Sequence, residues 1–217
     1  MRSSFHLELE NLQQDVLKMG TLVEGAIVDA VRSLAQKDSE LARKVLREDD
    51  LVDDLEMGIE RRCLTLFALQ QPMARDLRII GTALKIITDL ERMGDHACDI
   101  AKVTLRLENQ PLIKPLIDIP RMAEIGRAMI QKALRAYMEE DGGLAMEMIQ
   151  MDDQLDHLYK QIFRELLVLM MENPNTIEQA AQLLMVGQYL ERIGDHATNL
   201  GEWILYMISG ERKRLNK

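Results

Sequence analysis

The sequence predicts an all-α protein made of two tandem, antiparallel three-helix bundles related by internal pseudo-symmetry. Three observations lead to this prediction. The 217 residues contain only 12 Gly and 5 Pro, too few for a β protein with a turn about every 8–12 residues. Apolar residues recur at intervals of three and four over long stretches, which is the spacing of one helix face. The second half of the chain also repeats the pattern of the first.

The internal repeat emerges when the chain is compared with itself. A shift of 103 positions places Asp49 on Asp152. Later in each unit, a shift of 100 places residues 91–97 (Glu-Arg-Met-Gly-Asp-His-Ala) on residues 191–197 (Glu-Arg-Ile-Gly-Asp-His-Ala), with six of the seven identical. Identity this dense, in register with matched apolar positions, indicates a duplicated unit.

We predict that the first unit, residues 1–108, contains three long helices. Asp38 suits the N-cap of the second helix, because its carboxylate can accept hydrogen bonds from free backbone N–H groups of the first turn. Pro72 stands just before the third helix, where a proline is well tolerated. The short connections make neighbouring helices antiparallel. The predicted helices span 3–36, 39–70 and 73–108.

We predict that the second unit spans residues 121–217 and follows a linker at 109–120, where three of the five prolines cluster. Asp141, followed by two glycines, suits the N-cap of the second helix in this unit. Two arrangements of the bundles are open, end to end or side by side. The predicted helices span 121–139, 144–172 and 175–209.

The third helix of each unit carries an apolar stripe in heptad spacing, which predicts that this face is buried against partner helices. In the first unit the stripe comprises Ala83, Ile86, Leu90, Met93, Ala97, Ile100, Thr104 and Leu107. In the second unit it comprises Leu183, Val186, Leu190, Ile193, Ala197, Leu200, Ile204 and Met207.

Acidic residues lie on the opposite face of these helices, at intervals of four that stack one carboxylate over the next. Like charges at this spacing cost about 0.2–0.5 kcal/mol per pair, so a compensating partner is expected. Carboxylates from two adjacent helices suit a hard or borderline cation such as Mg²⁺, Mn²⁺ or iron. We therefore expect a shallow surface site between the second and third helices of each unit. The rows are Asp49, Asp53, Glu91, Asp95 and Asp99, and then Asp152, Asp156, Glu191, Asp195 and Asn199.

Other interpretations of these residues stay open. A charged outer face is commonly only solvated. Alternatively, Arg92 and Arg192 could pair with the acidic side chains, and no metal would then be bound. His96 and His196 flank the stripe, where a packing or capping role competes with a ligand role.

Two further residue types lie within or directly after the duplicated segment. Gly94 and Gly194 cost about 1 kcal/mol of helix propensity relative to Ala, which indicates close approach of a neighbouring helix. Cys98 lies near the acidic row, where a partly buried spectator thiol is favoured over a thiolate ligand.

Composition excludes several classes of function. The net charge of −9 argues against sequence-independent nucleic-acid binding, which depends on neutralising phosphates. The densest apolar stretch, residues 166–171, is far shorter than the ~20 residues of a membrane span. Residues 1–11 lack the apolar core of a secretory signal, and the two cysteines form no disulfide framework. We expect a cytoplasmic protein.

Catalysis finds little support in the sequence. HExxH, GxSxG, P-loop and GxGxxG motifs are absent, and so are the ExxH pairs that di-iron bundle enzymes direct inward. A regulatory adaptor is therefore the first hypothesis. A helical-bundle metalloenzyme and a metal-free helical scaffold are the alternatives.

The duplicated Glu-Arg-x-Gly-Asp-His-Ala segment resembles the signature of the PhoU family of phosphate-signalling proteins. The paired aspartates upstream and residues 71–78 (Gln-Pro-Met-Ala-Arg-Asp-Leu-Arg) resemble the same family. The resemblance extends over essentially the whole chain. It implies a non-enzymatic cytosolic accessory protein of the high-affinity phosphate ABC transporter, made of two three-helix bundles.

The resemblance also implies partners. Members of the family are thought to link the transporter, chiefly its ATPase subunit, to a sensor histidine kinase, and to suppress phosphate-starvation signalling when phosphate is plentiful. We accordingly expect a homodimer that contacts the membrane complex only peripherally. Residues for contact with partners, or for support of the ligands, are Arg75, Arg78, Arg92, His96, Arg192 and His196.

Some members of the family bind multinuclear iron or other metals through paired E/DxxxD motifs. By resemblance, the ten residues of the two rows would be ligands, with Zn, Mn and Mg as alternatives to iron. Asn199 departs from the carboxylate pattern, so the second cluster would bind fewer ions or bind them less tightly.

Overall fold

The computed structural model describes residues 2–70 and 72–212 and contains no strand in these ranges. The all-α prediction is confirmed. Gln71, within the segment that resembles the family signature, and the terminal residues 1 and 213–217 lie outside the described residues. The helices are α1 (Arg2–Gln36), α2 (Ser39–Gln70), α3 (Ala74–Arg106), α4 (Asp118–Glu139), α5 (Gly142–Ile149), α6 (Asp152–Glu172) and α7 (Ile177–Ser209), with a 3₁₀ turn at Pro174–Thr176.

The helices form two three-membered bundles, α1–α3 and α4–α7, in which α5 and α6 together take the place of one helix. Every residue of the two predicted apolar stripes is buried, so the heptad prediction is confirmed. The predicted caps also form: Asp38 Oδ1 accepts from the backbone N–H of Leu41 at 2.9 Å, and Asp141 Oδ1 accepts from Leu144 at 3.0 Å.

The bundles lie side by side, not end to end. Helix α3 packs antiparallel along α7, because Arg78 donates to the carbonyl of Met207 at 3.1 Å and Arg106, near the other end of α3, donates to Gln182 at 3.1 Å. Helix α1 likewise packs antiparallel against α4, with Gly20 near Leu134 and Glu24 accepting from Gln131. The four-helix contact α1–α3–α7–α4 therefore joins the halves into one core.

One predicted helix is wrong. The stretch 144–172 is interrupted at residues 150–151, where the N–H of Met151 bonds the carbonyl of Met148 at 3.0 Å, three residues back. Asp152 and Asp153 then occupy the first turn of α6, the end of a helix where negative charge is favoured. No Gly or Pro marks this break, so the sequence pattern could not reveal it.

The connection between α3 and α4 comprises residues 107–117, so it begins and ends two to three residues earlier than the predicted linker. Helix α4 begins at Asp118, and Pro120 lies in its first turn, where a missing N–H costs nothing. Residues 107–117 join α3 to α4 and are held by Gln179, a 4% exposed side chain that accepts from the N–H of Ile113 at 2.6 Å. The domain boundaries themselves stay a prediction. Within the described ranges, no helix combines the length and apolarity needed to cross a bilayer.

Candidate functional site

The first acidic cluster lies in the groove between α2 and α3. It comprises Asp49, Asp53, Glu56, Glu91 and Asp95. Burial, followed by the charge of Asp95, raises the pKa of Glu91, whose side chain is 21% exposed. Burial also raises the pKa of Asp49 and of Glu56, with neighbouring carboxylates adding to the effect in both cases. The fold therefore holds several carboxylates at mutual electrostatic cost.

The second acidic cluster lies in the equivalent groove between α6 and α7 and comprises Asp152, Asp156, Glu191 and Asp195. Burial, followed by the charge of Asp195 and then of Asp156, raises the pKa of Asp152 to about 6. Burial and Asp195 also raise the pKa of Glu191. Asp152 is therefore the carboxylate that most resists ionisation in the absence of a cation.

The structure brings eight of the ten predicted row residues into these clusters and places the other two apart. Asp99 accepts from Lys102 at 2.9 Å. Asn199 donates its amide to Asp89 of the other half at 3.2 Å. Asp99 and Asn199 thus form hydrogen bonds with residues outside the acidic clusters.

The two glycines of the duplicated segment allow the acids of the neighbouring helix to approach. A Cβ atom at Gly194 would lie 2.7 Å from Oδ1 of Asp152, closer than real Cβ contacts permit. A Cβ at Gly94 would lie 3.5 Å from Oδ1 of Asp49, an ordinary contact. The close-approach prediction is confirmed, and it is strict only in the second half.

Cys98 supports the first cluster as a thiol. Burial, followed by the charge of Asp49, raises its pKa, so the sulfur keeps its proton and is hydrogen bonded to that carboxylate. The equivalent residue in the second half is Thr198, whose buried hydroxyl has no hydrogen-bond partner among the described residues. Within the described residues, the second cluster therefore lacks the hydrogen bond that Cys98 gives to the first.

Cations of the chain already contact some of the acids. Arg92 lies 3.5 Å from Glu91 and 3.3 Å from Asp95. Lys160 donates to Asp156 at 2.8 Å. These pairs are solvent-exposed on at least one side, where an ion pair is worth only about 0–1 kcal/mol, so they compete weakly with a bound cation.

The histidines of the duplicated segment meet at the junction between α3 and α7, with ring centroids 5.8 Å apart. Nδ1 of His196 lies 2.8 Å from Oδ1 of Asp89. His96 instead stacks on Tyr189, the residue equivalent to Asp89, and its buried Nδ1 has no partner among the described residues. Burial, followed by the charges of His196 and Arg192, lowers the pKa of His96. The pair of histidines therefore serves the contact between halves.

The two arginines at the start of α3 have partners within the chain. Arg75 binds Glu140 at 2.6 Å, and Arg78 donates to the carbonyl of Met207 at the end of α7. Both contacts connect the first half to the second. A role in contacting another protein stays a prediction for these residues.

The donor chemistry of the acidic clusters fits a hard or borderline cation, because the groups are carboxylate oxygens from two facing helices. In the described part of the chain, no three Asp, Glu, His or Cys side chains are arranged around a common point that could hold an ion. A metal would therefore require side chains to rotate toward it, at positions already close in space.

Sequence reasoning missed Glu56 and Asp89. Glu56 lies three residues after Asp53 on α2, so the helical spacing that identified the rows could have found it. Its equivalent is Tyr159, whose ring occupies the space above Gly187, so the second cluster has one carboxylate fewer at this position. The role of Asp89 could not be predicted from helical spacing, because the residues that it contacts lie in the other half of the chain.

Comparison with known proteins gives consistent results. The family model of the PhoU domain matches residues 16–104 and again residues 119–204. A "phosphate-specific transport system accessory protein PhoU homolog" of Clostridium acetobutylicum is 42% identical over 99% of both chains. The homologue of the same name in Aquifex aeolicus is 42% identical over 94% of this chain and 92% of its own.

Solved structures agree with the sequence comparison. The crystal structure of PhoU from Pseudomonas aeruginosa has a TM-score of 0.91 and 36% identity, and covers 95% of this chain and 100% of that one. The phosphate transport system regulatory protein PhoU from Streptococcus pneumoniae has a TM-score of 0.91 and 32% identity, with 97% of this chain and 100% of that one covered. Matches on this scale, in sequence and in fold, show that the chain is a member of the PhoU family.

Proposed function

We propose that this chain is a non-enzymatic accessory protein of a phosphate-specific transport system and limits phosphate uptake when phosphate is plentiful. The observation that carries this proposal is the full-length similarity to relatives named as accessory proteins of that system. The duplicated helical fold is compatible with a role in binding partners.

The partners we propose are the ATPase subunit of the transporter and a sensor histidine kinase. In this arrangement the chain works as a homodimer on the cytoplasmic side, where the ATPase subunit of such a transporter lies, and represses the phosphate-starvation response. Both bundles carry exposed apolar side chains that a partner could cover, among them Leu64 and Leu69 on α2 and Met171 on α6.

We further propose that the two acidic clusters bind metal ions, with iron first and Zn, Mn and Mg as alternatives. Burial and, after it, neighbouring carboxylates raise the pKa values of Glu91, Asp152 and Glu191, and this supports the proposal because a bound cation favours the ionised form of each group. A metal bound by carboxylates of both helices would link α2 to α3 and α6 to α7, which already pack together.

A metal-free scaffold is the second candidate. The pairs Arg92–Glu91, Arg92–Asp95 and Lys160–Asp156 favour it, since they already neutralise part of the acidic charge. Elemental analysis of protein purified without chelators distinguishes the two candidates.

The regulatory role is tested in a deletion strain that carries a reporter of phosphate starvation. We expect the deletion to switch the reporter on in phosphate-rich medium and the plasmid-borne wild-type gene to switch it off again. An unchanged reporter after deletion would contradict the role. Affinity purification from phosphate-replete cells, followed by mass spectrometry, should recover the ATPase subunit and the kinase.

A further inference from the structure

The segment that joins the halves forms an open cleft with the outer face of α6, which we call the linker cleft. It has a volume of about 750 Å³ and is lined by residues of both elements. Small-molecule sites typically measure about 300–1,000 Å³. The linker cleft therefore has room for a ligand much larger than a single oxyanion.

The internal repeat provides a built-in comparison for this face. On α6, His157, Lys160 and Arg164 line the cleft, and the equivalent residues on α2 are Asp54, Met57 and Arg61. At this register the second half thus has a lysine where the first half has a methionine, and a histidine where the first half has an aspartate, on the helix beside the linker. The first half has no linker segment over its α2, since the linker follows α3 once only.

Charge within the linker cleft is mixed. Lys114 pairs with Glu165, and Lys160 pairs with Asp156, which lies outside the cleft. Across residues 2–70 and 72–212, Arg164 has no hydrogen-bond or ion-pair partner. An unpaired guanidinium beside two lysines, in a chain of net charge −9, marks a place where an anion is favoured.

Part of the lining of the linker cleft is apolar. Pro115 and Ile117 of the linker and Val168 of α6, one turn after Arg164, contribute to it, and Ile117 and Val168 are 66% and 51% exposed. Covering such exposed apolar area with a ligand is favourable. A flat ring stacked on these apolar side chains, with an acidic group directed to the cations, would use both parts of the lining.

Two carboxylates also line the linker cleft. Asp118, only 8% exposed, accepts from Gln161 at 3.0 Å through Oδ2, and its Oδ1 lies 3.6 Å from Arg121 and can accept a further hydrogen bond. Glu165 lies against Lys114. Such acceptors suit the hydroxyl and amino groups of a nucleoside and disfavour a bare, multiply charged anion, which they would repel.

We propose that the linker cleft binds a phosphorylated small molecule of nucleotide size, with its phosphate at Arg164 and Lys160 and its ring against Ile117 and Val168. This inference does not depend on the proposed role in phosphate transport. The linker cleft adjoins the groove of the second acidic cluster, because Lys160 of the cleft pairs with Asp156 of that cluster.

Isothermal titration with AMP, ADP and ATP, in a chelator-containing buffer without divalent cations, tests the proposal. The chelator prevents a metal ion from bridging a nucleotide to the acidic clusters. We expect at least one nucleotide to bind, Arg164→Ala and Lys160→Met each to weaken binding about tenfold or more, and added salt to weaken it further. Lys160→Met installs the residue that the first half has at this register.

Arg61→Ala is the matched control, because Arg61 has the same exposed helical register on α2 and no linker above it. It should leave the affinity unchanged. Equal weakening in Arg61→Ala and Arg164→Ala, inorganic phosphate binding as tightly as the nucleotides, or no binding at millimolar concentration would each overturn the proposal. Circular dichroism checks that the variants remain folded, as expected for exposed helical positions.

Discussion

Nδ1 of His196 lies 2.8 Å from Oδ1 of Asp89, across the interface between the two halves. The same carboxylate oxygen accepts the amide of Asn199 at 3.2 Å. A carboxylate can only accept, so the proton of this contact lies on Nδ1 of the imidazole. One acidic side chain of α3 thus holds two side chains of α7.

The first prediction concerns this contact. Asp89→Ala should lower the free energy of unfolding by about 1–3 kcal/mol, because it leaves two partly buried donors without an acceptor. Asp89→Asn should lose less, since its amide oxygen still accepts. Urea denaturation at pH 7 measures both, with the exposed Asp54→Ala as control. Equal stability of Asp89→Ala and Asp54→Ala would contradict the prediction.

The second prediction compares the two glycines of the repeat. Gly194→Ala places a methyl group 2.7 Å from Oδ1 of Asp152 and 2.9 Å from Leu155, and should destabilise the protein by about 1–3 kcal/mol. Gly94→Ala meets nothing closer than 3.5 Å and should be neutral or stabilise by up to about 1 kcal/mol of helix propensity. Thermal unfolding of both variants settles their order. The reverse order would refute the account of helix approach.

The third prediction concerns pH. The pKa of Asp152 is raised to about 6 in the folded chain, so the folded state binds this proton more tightly than the unfolded state does. The contribution of Asp152 to stability is therefore full below about pH 4 and is lost as the pH rises through about 6. In metal-free protein, Asp152→Asn should raise the melting temperature at pH 8 and change it little at pH 4. Asp153→Asn, at an exposed neighbour, is the control, and a pH-independent difference would argue against this origin.

The fourth prediction concerns metal content. Asn and Gln replacements at Asp49, Asp53, Glu91 and Asp95 should remove more bound metal than the equivalent replacements in the second cluster. The reason is that the first cluster has Glu56 where the second has Tyr159, and therefore offers more oxygen ligands. Elemental analysis after loading with iron, zinc or manganese, followed by dialysis, measures the difference. Retention of all metal by a variant altered in both clusters would exclude them as the binding sites.

Most of the fold followed from local pattern. The heptad spacing of α3 and α7 predicted their buried faces, and Asp38 and Asp141 predicted helix starts, because these effects act over one or two helical turns. The positions of the acids relative to the stripes likewise followed from 3.6-residue periodicity.

What escaped prediction depends on contacts between distant residues. The side-by-side packing of the halves is one such feature. The hydrogen bonds of Asp89 with His196 and with Asn199 are others, because each connects residues more than 100 positions apart in the sequence. The break before Asp152 arises where no residue type disfavours a helix. Periodicity within one helix contains no information on either kind of feature.

The different residues at the matched positions 89 and 189 have a further consequence. Asp89 forms a hydrogen bond with His196 of the other half, whereas Tyr189 stacks on His96. The two halves are therefore not related by an exact twofold axis at this interface. A protein that docks at this seam meets only one chemically matching orientation, so the duplicated scaffold has acquired a polarity that an exact twofold assembly of one repeat would lack.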